Sequence, residues 1–373
     1  MRIALVHDYL NQYGGAERVL EELHALFPTA PIYTSIYDPR AMPAIYREME
    51  IRPSFMQRLP GVTRHHQPYL PLYPLAFEAF DLGEFDVVLS NSSAFCKGVI
   101  TAPHTLQVCY CLTPMRWVWE YRGYVEREQL GRVARVALPP LISALRLWDV
   151  TSSQRVDEFV AISRTVQARI KKYYRRDSAV IYPPVRTSLF PEQDAPGSYY
   201  LVVSRLIPYK RIDLAIDAFK RLGLPLKVVG DGRDRAALAA RAGRNVEFLG
   251  RVGEEELKQL YLGCRGFLFP GEEDFGIAPV EAQAAGRPVV AYAAGGALDT
   301  VVDGETGTLF YEQTPEALAA AVRRLESLSL DPRRIRANAR RFDASIFRGS
   351  LLQFLQDAYA RHCERDFRSA AAR

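Results

Sequence analysis

The sequence predicts an α/β protein made of two doubly wound domains in tandem. Short apolar strands alternate with amphipathic helical segments in both halves of the 373-residue chain. Strands that are apolar throughout and separated by helices indicate parallel sheets covered on both faces. A chain of this length also exceeds what one hydrophobic core usually supports. Because ligands of open α/β sheets bind beyond the carboxyl ends of the strands, the two Rossmann-like domains are expected to face each other across a binding cleft.

The first domain is predicted over residues 1–185. Its strands are expected in the runs RIALV, FDVVLS, TLQVCY, EFVAIS and AVIY. The second domain is predicted over 186–345, with strands in YYLVVSRL, LKVVG, VEFLG, GFLFP and RPVVAY. A proline-rich seam at 182–198 separates the two, and residues 346–373 are expected to form a C-terminal helix and tail that pack back towards the first domain.

Composition limits the class of protein. Hydrophobic residues make up 48% and charged residues 24%, as in ordinary folded proteins, and no apolar run is long enough to predict a membrane span. Five scattered cysteines favour a reducing cytoplasm over a disulfide framework. Cys109 and Cys111 are interpreted either as two buried thiols or as zinc ligands. The net charge of +5 is too small to demand a nucleic-acid partner, and none is expected, but it suits an anionic membrane surface or phosphate-bearing substrates.

Two glycine-containing turns are candidate phosphate-binding sites. Gly14 and Gly15 stand between the first strand and the first helix, where a backbone N–H group and the positive end of the helix dipole can bind an anion. The alternative is that they only make the turn. Gly230 begins the run GDGRDR, which lacks the third glycine of the dinucleotide-binding pattern and so disfavours a nicotinamide or flavin enzyme.

Two cations follow the first strand of the second domain. Arg205 stands at the end of that strand, and Lys210 opens the next helix. An arginine fork and a lysine ammonium at a strand's carboxyl edge can bind a diphosphate and offset the charge that builds as it departs, without a metal ion. The alternative is that both are solvated surface residues.

A second polar group follows the strand GFLFP. Glu281 could accept hydrogen bonds from the two hydroxyls of a ribose, and Glu273 could face a sugar. The backbone N–H groups of Phe275, Gly276 and Ile277 could cap a phosphate or a sugar hydroxyl. The alternative is that Glu281 only complements the helix dipole and that Glu273 lies in an exposed acidic turn.

These motifs together carry a family resemblance. The runs SRLIPYKR, GDG, EEDFGIAPVEAQAAGRPVVA and GGALDTVVDGETG, in this order, resemble the retaining glycosyltransferases of family 4, which have the GT-B fold. The resemblance covers the whole second domain. In the first domain GGAE, YCLTPMRWVWE and VAISRTVQARIKKYY are similar to bacterial mannosyltransferases that build surface polysaccharides and lipopolysaccharide O-chains. The resemblance implies transfer of a hexose, specifically mannose from GDP-mannose, to a hydroxyl of a lipid-linked saccharide acceptor.

The resemblance also implies a role for each motif. Arg205 and Lys210 would bind the donor diphosphate and act in catalysis, and Glu273 would act on the transferred sugar. The residues implied in donor binding are Gly14, Gly15, Arg205, Lys210, Gly230, Phe275, Gly276, Ile277 and Glu281. No cofactor is expected besides the nucleotide-sugar substrate. No metal is expected either, because the chain has no D-x-D motif to bind one at the diphosphate.

One position departs from the family pattern. Leu112 stands where many relatives carry a histidine that points towards the sugar or the acceptor, and leucine forms no side-chain hydrogen bond. The role is then unfilled, or another residue takes it. The candidates on the acceptor side are His104, His7 and Arg116, whose flanking tryptophans could equally be core or acceptor packing.

Two further segments bear on membrane contact at the inner face of the cell membrane. Residues 52–77 mix basic and aromatic residues with prolines, and are interpreted either as a membrane-facing rim or as a proline-braced connection with its aromatics packed inward. The run LGRVARVALPPLISALRLW is also basic and apolar, and its pair Pro139 and Pro140 is expected to split any helix.

Three alternative functions are also compatible with the sequence. One is a retaining transferase that uses another UDP- or GDP-sugar. The second is a GT-B nucleotide-sugar epimerase, and the third is a catalytically silent protein that binds a sugar nucleotide, which Leu112 makes conceivable.

Overall fold

The computed structural model describes residues 1–120, 132–193 and 197–371. The chain divides into two compact units. Unit 1 consists of Met1–Pro184 together with Phe347–Arg373, and unit 2 of Val185–Ile346.

Unit 1 is built on a parallel sheet that has seven strands within the described residues, in the order β3-β2-β1-β4-β5-β6-β7. The strands are β1 Ile3–His7, β2 Ile32–Thr34, β3 Ile51–Pro53, β4 Val87–Ser92, β5 Leu106–Cys111, β6 Glu158–Ala161 and β7 Ala179–Val180. Strands β1, β4 and β5 are buried along their whole length, as expected of parallel strands covered on both faces. Strands β1 and β4 are neighbours, and the next strand in the sequence lies on opposite sides of this pair: β2 beside β1, and β5 beside β4. We call the place between β1 and β4 the reversal point of unit 1.

Helices cover this sheet. They are α1 Gly15–Leu26, α2 Tyr73–Glu78, α3 Arg116–Trp119, α4 Arg132–Ser153 and α5 Arg164–Tyr174. Short 3₁₀ helices span Ala44–Arg47, Phe55–Arg58, Gln67–Leu72 and Cys96–Gly98. Helix α1 buries Val19, Leu20 and Leu23, which recur at helical spacing.

The expectation that Pro139 and Pro140 split the helix is wrong, because both lie inside α4. Each proline removes a helical hydrogen bond, a loss of about 3 kcal/mol in an unsupported helix. Packing offsets this cost, since Ile142 and Leu145 are buried in the core of unit 1 and Trp148 packs against it. The side chains of residues 132–137, which carry the basic part of this run, lie outside the described ones.

The segment 52–77 follows the inward-packing interpretation for its aromatic residues. Tyr73 and Phe77 are fully buried, and Tyr69 packs against the same core. The basic residues Arg58 and Arg64 are exposed. The aromatic residues are therefore largely taken up by the core, while the cations remain at the surface.

Unit 2 repeats the design with a second parallel sheet, six-stranded in the part of the chain described, in the order β10-β9-β8-β11-β12-β13. The strands are β8 Tyr199–Val203, β9 Leu226–Val229, β10 Val246–Gly250, β11 Cys264–Phe269, β12 Val289–Tyr292 and β13 Gly307–Phe310. Here β8 and β11 are neighbours, although two strands separate them in the sequence. From β8 the following strands add on one side of the sheet, and from β11 they add on the other.

The helices of unit 2 are α6 Ile212–Leu222, α7 Arg235–Arg241, α8 Glu254–Leu262, α9 Ile277–Ala284, α10 Ala297–Thr300, α11 Pro315–Ser327 and α12 Pro332–Arg340, with 3₁₀ turns at Thr187–Leu189 and Pro208–Lys210. They cover both faces of the sheet. Along β11, Leu268 packs in the core beneath α6, whereas its neighbour Phe267 packs in the core on the other face. This alternation is the doubly wound arrangement that the sequence predicts. The fold class, two Rossmann-like parallel-sheet units, is confirmed.

The chain ends in helix α13, Ala344–Ala371, which joins unit 1 from Phe347 onward. The Phe347 ring meets the Tyr110 ring edge-on, with centroids 5.5 Å apart. Arg348 donates to Glu22 at 3.1 Å. No helix in the described part of the chain is both long and apolar enough to cross a bilayer.

Candidate functional site

The polar residues predicted in unit 2 meet where the chain reverses, at the carboxyl ends of β8 and β11. Residues 204–211 follow β8, and residues 270–276 follow β11. Because the connections from these two strands run to opposite sides, this edge is where ligands of open α/β sheets are expected to bind. Two motifs far apart in the sequence are thus neighbours at one sheet edge.

The two predicted cations are arranged around Tyr209. The exposed guanidinium of Arg205 donates to the Tyr209 hydroxyl at 3.4 Å. The ammonium of Lys210 lies over the Tyr209 ring, 4.9 Å from its centroid. A cation over an aromatic face is attracted by the ring's negative face. Tyr209, which the sequence analysis did not single out, therefore contacts both cations.

Lys210 and Glu273 form an ion pair that is largely shielded from water. The Lys210 side chain is 11% exposed and the Glu273 side chain 23%. Burial is the largest single influence and lowers the pKa of Lys210, but the attraction and hydrogen bond of the Glu273 carboxylate, together with the neighbouring Tyr209, outweigh it and raise the pKa above the ordinary value. Lys210 therefore stays charged at neutral pH. An ammonium has three N–H donors, so a phosphate oxygen can bind Lys210 while Glu273 does.

Close approach of the two loops brings this pair together. A Cβ atom on Gly271 would lie 2.9 Å from the Lys210 Cα atom and the Tyr209 carbonyl oxygen. Only a residue without a side chain fits at that separation. The glycine in the run PGEED is thus what lets the acidic loop reach Lys210.

A second glycine contact holds the acidic loop from its other side. The Gly296 N–H donates to the Glu273 carbonyl at 2.8 Å. A Cβ atom on Gly295 would lie 2.1 Å from that carbonyl oxygen, and one on Gly296 would lie 2.2 Å from the Phe275 Cα atom. The glycine pair in GGALD is therefore required by backbone packing against the loop that carries Glu273.

The backbone predicted to meet a ligand lies at the start of α9. The Phe275 side chain is buried and meets the Phe342 ring at 5.5 Å, so the residue presents backbone rather than side chain to this edge. Gly276 has φ of +90°, and a Cβ there would lie 2.6 Å from the Phe269 ring. Ile277 begins the helix. The loop thus ends in a helix amino terminus at the same sheet edge.

Glu281 lies one turn into α9. Its Oε2 atom accepts a hydrogen bond from the Tyr261 hydroxyl at 2.8 Å. Tyr261 is almost fully buried on the end of α8, so it holds the carboxylate in one orientation. Tyr261 was not predicted as a site residue, because it looks like an ordinary core aromatic in the run LKQLYLG.

Gly230 has a packing reason of its own. It follows β9 with φ of +123°, and a Cβ there would lie 1.9 Å from the Ser204 carbonyl oxygen. The turn after β9 therefore touches the turn after β8 that precedes Arg205. Its predicted part in donor binding stays a prediction.

In unit 1, Gly14 caps the start of α1, and Gly15 is the first helical residue. The φ of Gly14 is −167°, which any residue adopts. A Cβ there would meet only the Glu17 Oε2 atom, at an ordinary 3.5 Å, among the described atoms. Neither conformation nor packing among the described residues demands a glycine at 14, and the predicted approach of a ligand there stays a prediction.

The loops at the reversal point of unit 1 are fixed by buried polar groups. The Asp8 carboxylate, just after β1, accepts backbone hydrogen bonds at 2.6 to 2.9 Å from the four residues that follow β4, Ser93, Ala94, Phe95 and Cys96. His7 is 2% exposed and lies 3.4 Å from Glu17 and 3.2 Å from Asn91. His7 is thus part of the internal network of unit 1.

The structure separates the other acceptor-side candidates. Leu112 directly follows the carboxyl end of β5, whereas His104 is exposed before its amino end, and a six-residue strand is about 20 Å long. His104 is therefore in the wrong place to substitute for a histidine at Leu112. Arg116, on α3, lies on the correct side and pairs with Glu120 at 2.9 Å.

The cysteines are free thiols among the described residues. Cys109 and Cys111 are buried along β5. No group of three or more His, Cys, Asp or Glu side chains within the described ranges is arranged to hold a metal ion.

Comparison with known proteins finds sequence similarity in the second unit. Residues 190–342 match the family model described as Glycosyl transferases group 1. An uncharacterized glycosyltransferase of Methanocaldococcus jannaschii is 29% identical over 168 residues, which are 43% of this chain and 47% of that protein. A glycogen synthase of Pseudomonas aeruginosa is 36% identical over 137 residues, 34% of this chain and 27% of that protein. The chain thus spans less than half the length of these curated relatives.

Solved structures resemble the whole chain. Anabaena HepE in complex with UDP has a TM-score of 0.70 at 18% identity, covering 96% of this chain and 100% of that one. Sucrose-phosphate synthase from Thermosynechococcus elongatus has a TM-score of 0.73 at 17% identity, covering 97% and 100%. At these identities the likeness shows the fold. Residues 190–342 therefore match the Glycosyl transferases group 1 family, within a chain whose two Rossmann-like units have the GT-B fold.

Proposed function

We propose that the protein is a retaining glycosyltransferase that moves a hexose from a nucleotide sugar to a hydroxyl of a saccharide acceptor. The observation that carries this proposal is the convergence of Arg205, Lys210 and Glu273 at the β8 and β11 strand ends. Glu281 lies on the helix that follows the same loop. All four residues fall inside the region that matches the group 1 family.

The proposed reaction breaks the bond between the sugar's anomeric carbon and the diphosphate oxygen, and forms one to the acceptor oxygen. Arg205 and Lys210 stabilise the negative charge on the departing diphosphate. The low exposure of Lys210 strengthens its contribution, since charge interactions grow as water is excluded. The acceptor proton moves to the departing diphosphate on the same face of the sugar. Such a substitution retains the anomeric configuration and needs no metal ion.

The remaining residues would position the donor. Glu281, oriented by Tyr261, would accept hydrogen bonds from the ribose hydroxyls. Glu273 and the backbone of Phe275, Gly276 and Ile277 would face the sugar and phosphate. Gly14 and Gly15 are proposed to admit donor phosphates close to the backbone of α1.

The donor proposed first is GDP-mannose, on the similarity of the first-domain motifs to mannosyltransferases of polysaccharide and lipopolysaccharide synthesis. A UDP-hexose is the second candidate, which the comparisons favour because HepE was solved with UDP-glucose. The proposed acceptor is a lipid-linked saccharide at the inner face of the cell membrane. The exposed side chains of Arg58 and Arg64 would contact the anionic lipids of that membrane.

Nucleotide binding followed by product analysis tests this function. The thermal midpoint is measured with GDP, UDP and ADP in EDTA, because a ligand present at one hundred times its Kd stabilises a protein by about 2.7 kcal/mol. GDP-mannose and UDP-glucose are then incubated with saccharide acceptors, and the anomeric configuration of the product is read by NMR. A retained product in EDTA supports the proposal.

Other experimental outcomes would contradict the proposed function. An inverted product would reject the retaining mechanism. Release of an epimerised sugar without acceptor would indicate an epimerase, and nucleotide binding without any product would indicate a silent binding protein.

A further inference from the structure

We propose that His66 of unit 1 binds the acceptor saccharide through its Nε2 atom, with Tyr9 as the apolar wall beside it. This inference rests on the proposed function, since it names the residue that would hold the acceptor of that reaction. By sequence His66 is one of several basic and aromatic residues in the segment 52–77, and no motif marks it out from the others.

His66 lies at the carboxyl edge of the unit 1 sheet, beside the loop that follows β1. Tyr9 follows the carboxyl end of β1, at the point where the connections from β1 and β4 run to opposite sides, and its ring centroid is 5.2 Å from that of His66. The Asn11 side-chain amide donates to the Thr63 carbonyl at 2.9 Å, which ties the loop after β1 to the segment that carries His66. In open α/β sheets this edge is where ligands bind.

The inner side of the imidazole is fixed. Its Nδ1 atom shares a hydrogen bond of 2.9 Å with the Tyr73 hydroxyl. Tyr73 is fully buried and stacks on Phe95 with ring centroids 4.7 Å apart. The Phe95 N–H in turn donates to Asp8 at 2.7 Å. The ring of His66 is thus held by the rigid core of unit 1, although the residue lies on a connection.

The outer side of the imidazole has binding capacity left. Its Nε2 atom has no hydrogen-bond partner among the residues that the structure describes, and the residue is half-buried. Burial lowers the pKa of His66, so the ring is neutral at pH 7. A neutral Nε2 either donates or accepts according to tautomer, and a hydroxyl can do both.

A saccharide is the ligand class that fits both features. A sugar hydroxyl can form a hydrogen bond with a neutral ring nitrogen, and the C–H face of a sugar can pack against the apolar face of the Tyr9 ring. A phosphate or a carboxylate would instead favour a charged imidazole, which burial at His66 disfavours.

The test compares His66→Ala with His65→Ala as the matched control. His65 is the adjacent histidine and is exposed, so its loss removes a ring of the same kind from the same segment. Initial rates of transfer to p-nitrophenyl hexosides are measured against acceptor and donor concentration. We expect His66→Ala to raise the acceptor KM about tenfold, the effect of one lost hydrogen bond and its packing, and His65→Ala to leave it unchanged.

Two readouts separate binding from a general structural effect. His66→Gln, whose amide reaches the Nε2 position with a donor and an acceptor, should recover part of the acceptor affinity. The shift in thermal midpoint that the donor nucleotide produces should stay at the wild-type value in every variant. In wild-type protein without donor, adding a hexoside should move the His66 ¹⁵Nε2 resonance.

The outcomes distinguish this inference from the function beneath it. Wild-type acceptor KM in a folded His66→Ala variant that still transfers sugar would overturn the assignment and leave the proposed function standing. Loss of donor-nucleotide response together with acceptor affinity would also overturn it, because His66 would then be structural. Wild-type protein that neither responds to nucleotides nor transfers sugar would reject both.

Discussion

Replacing Lys210 by methionine separates the structural and catalytic roles of the ion pair with Glu273. Methionine keeps an unbranched side chain of similar length but removes the charge. The Glu273 carboxylate is 23% exposed and would lose the ammonium that neutralises it. The variant should therefore lose both folding stability and transfer activity.

The stability loss follows from the burial of the pair. Removing one partner of a fully buried ion pair costs about 3–5 kcal/mol, because the other charge is left without compensation. Glu273 keeps some contact with water, so we expect about 2–3 kcal/mol for Lys210→Met. For a unit of this size, that corresponds to a fall in thermal midpoint of roughly 5–10 °C.

The double variant Lys210→Met/Glu273→Gln distinguishes the two effects. A neutral amide needs no counter-charge, so the double variant should regain most of the lost stability. Transfer should remain at least about 100-fold below wild type, since no cation replaces Lys210 at the diphosphate. Thermal melts and steady-state rates on the four proteins of the cycle measure both quantities.

Two results would refute this reasoning. A Lys210→Met variant that transfers sugar at the wild-type rate would show that Lys210 does not stabilise the departing diphosphate. A double variant as unstable as Lys210→Met would show that the uncompensated carboxylate is not the cause of the instability.

Three further predictions follow from single contacts. Tyr261→Phe removes the hydrogen bond that orients Glu281, and should weaken nucleoside diphosphate binding about 3- to 10-fold while leaving pyrophosphate binding unchanged. Calorimetric titration measures both affinities, and equal losses would contradict the assignment of Glu281 to the ribose. Gly296→Ala places a Cβ 2.2 Å from the Phe275 Cα atom and should displace the acidic loop, lowering transfer more than 10-fold and the thermal midpoint with it, whereas an unperturbed melt would contradict the required close approach. Burial lowers the pKa of His66, so the folded protein binds fewer protons there than the unfolded chain, and stability falls as the pH drops below 6.5. Thermal melts from pH 7.5 to 5 should therefore show a smaller decline in His66→Ala than in wild type.

The fold could be predicted because its signals are local. The stripe on α6, formed by Ile212, Ala215, Ile216 and Phe219, is buried as its helical spacing requires. Pro139 and Pro140 show the limit of local signals. Proline opposes a helix wherever it stands, but the packing that holds α4 together comes from distant parts of unit 1, which no run of neighbouring residues reveals.

The candidate site could be predicted as a location but not as a set of contacts. Arg205 and Glu273 each follow a strand, and the rule that parallel strands end at one edge is enough to expect them near each other. Tyr209 and Tyr261 were missed because an aromatic residue beside a strand end or on a helix is ordinary core material by sequence. Adjacent glycines before a helix were an ambiguous signal, because Gly295 and Gly296 are required by close backbone approach whereas Gly14 is not.

The histidines show why the acceptor side was harder to predict than the donor side. His104 stands close to Leu112 in the sequence, yet β5 lies between them and carries them to opposite ends of the sheet. His66 is separated from Tyr9 by two further strands of the sheet, yet meets its ring at 5.2 Å because the loop after β1 is tied to its segment. Sequence distance therefore misleads wherever a strand intervenes, and strand order decides instead. His66 lies beside the loop after β1, at the carboxyl edge of the unit 1 sheet, whereas His104, although nearer to Leu112 in the sequence, precedes the amino end of β5.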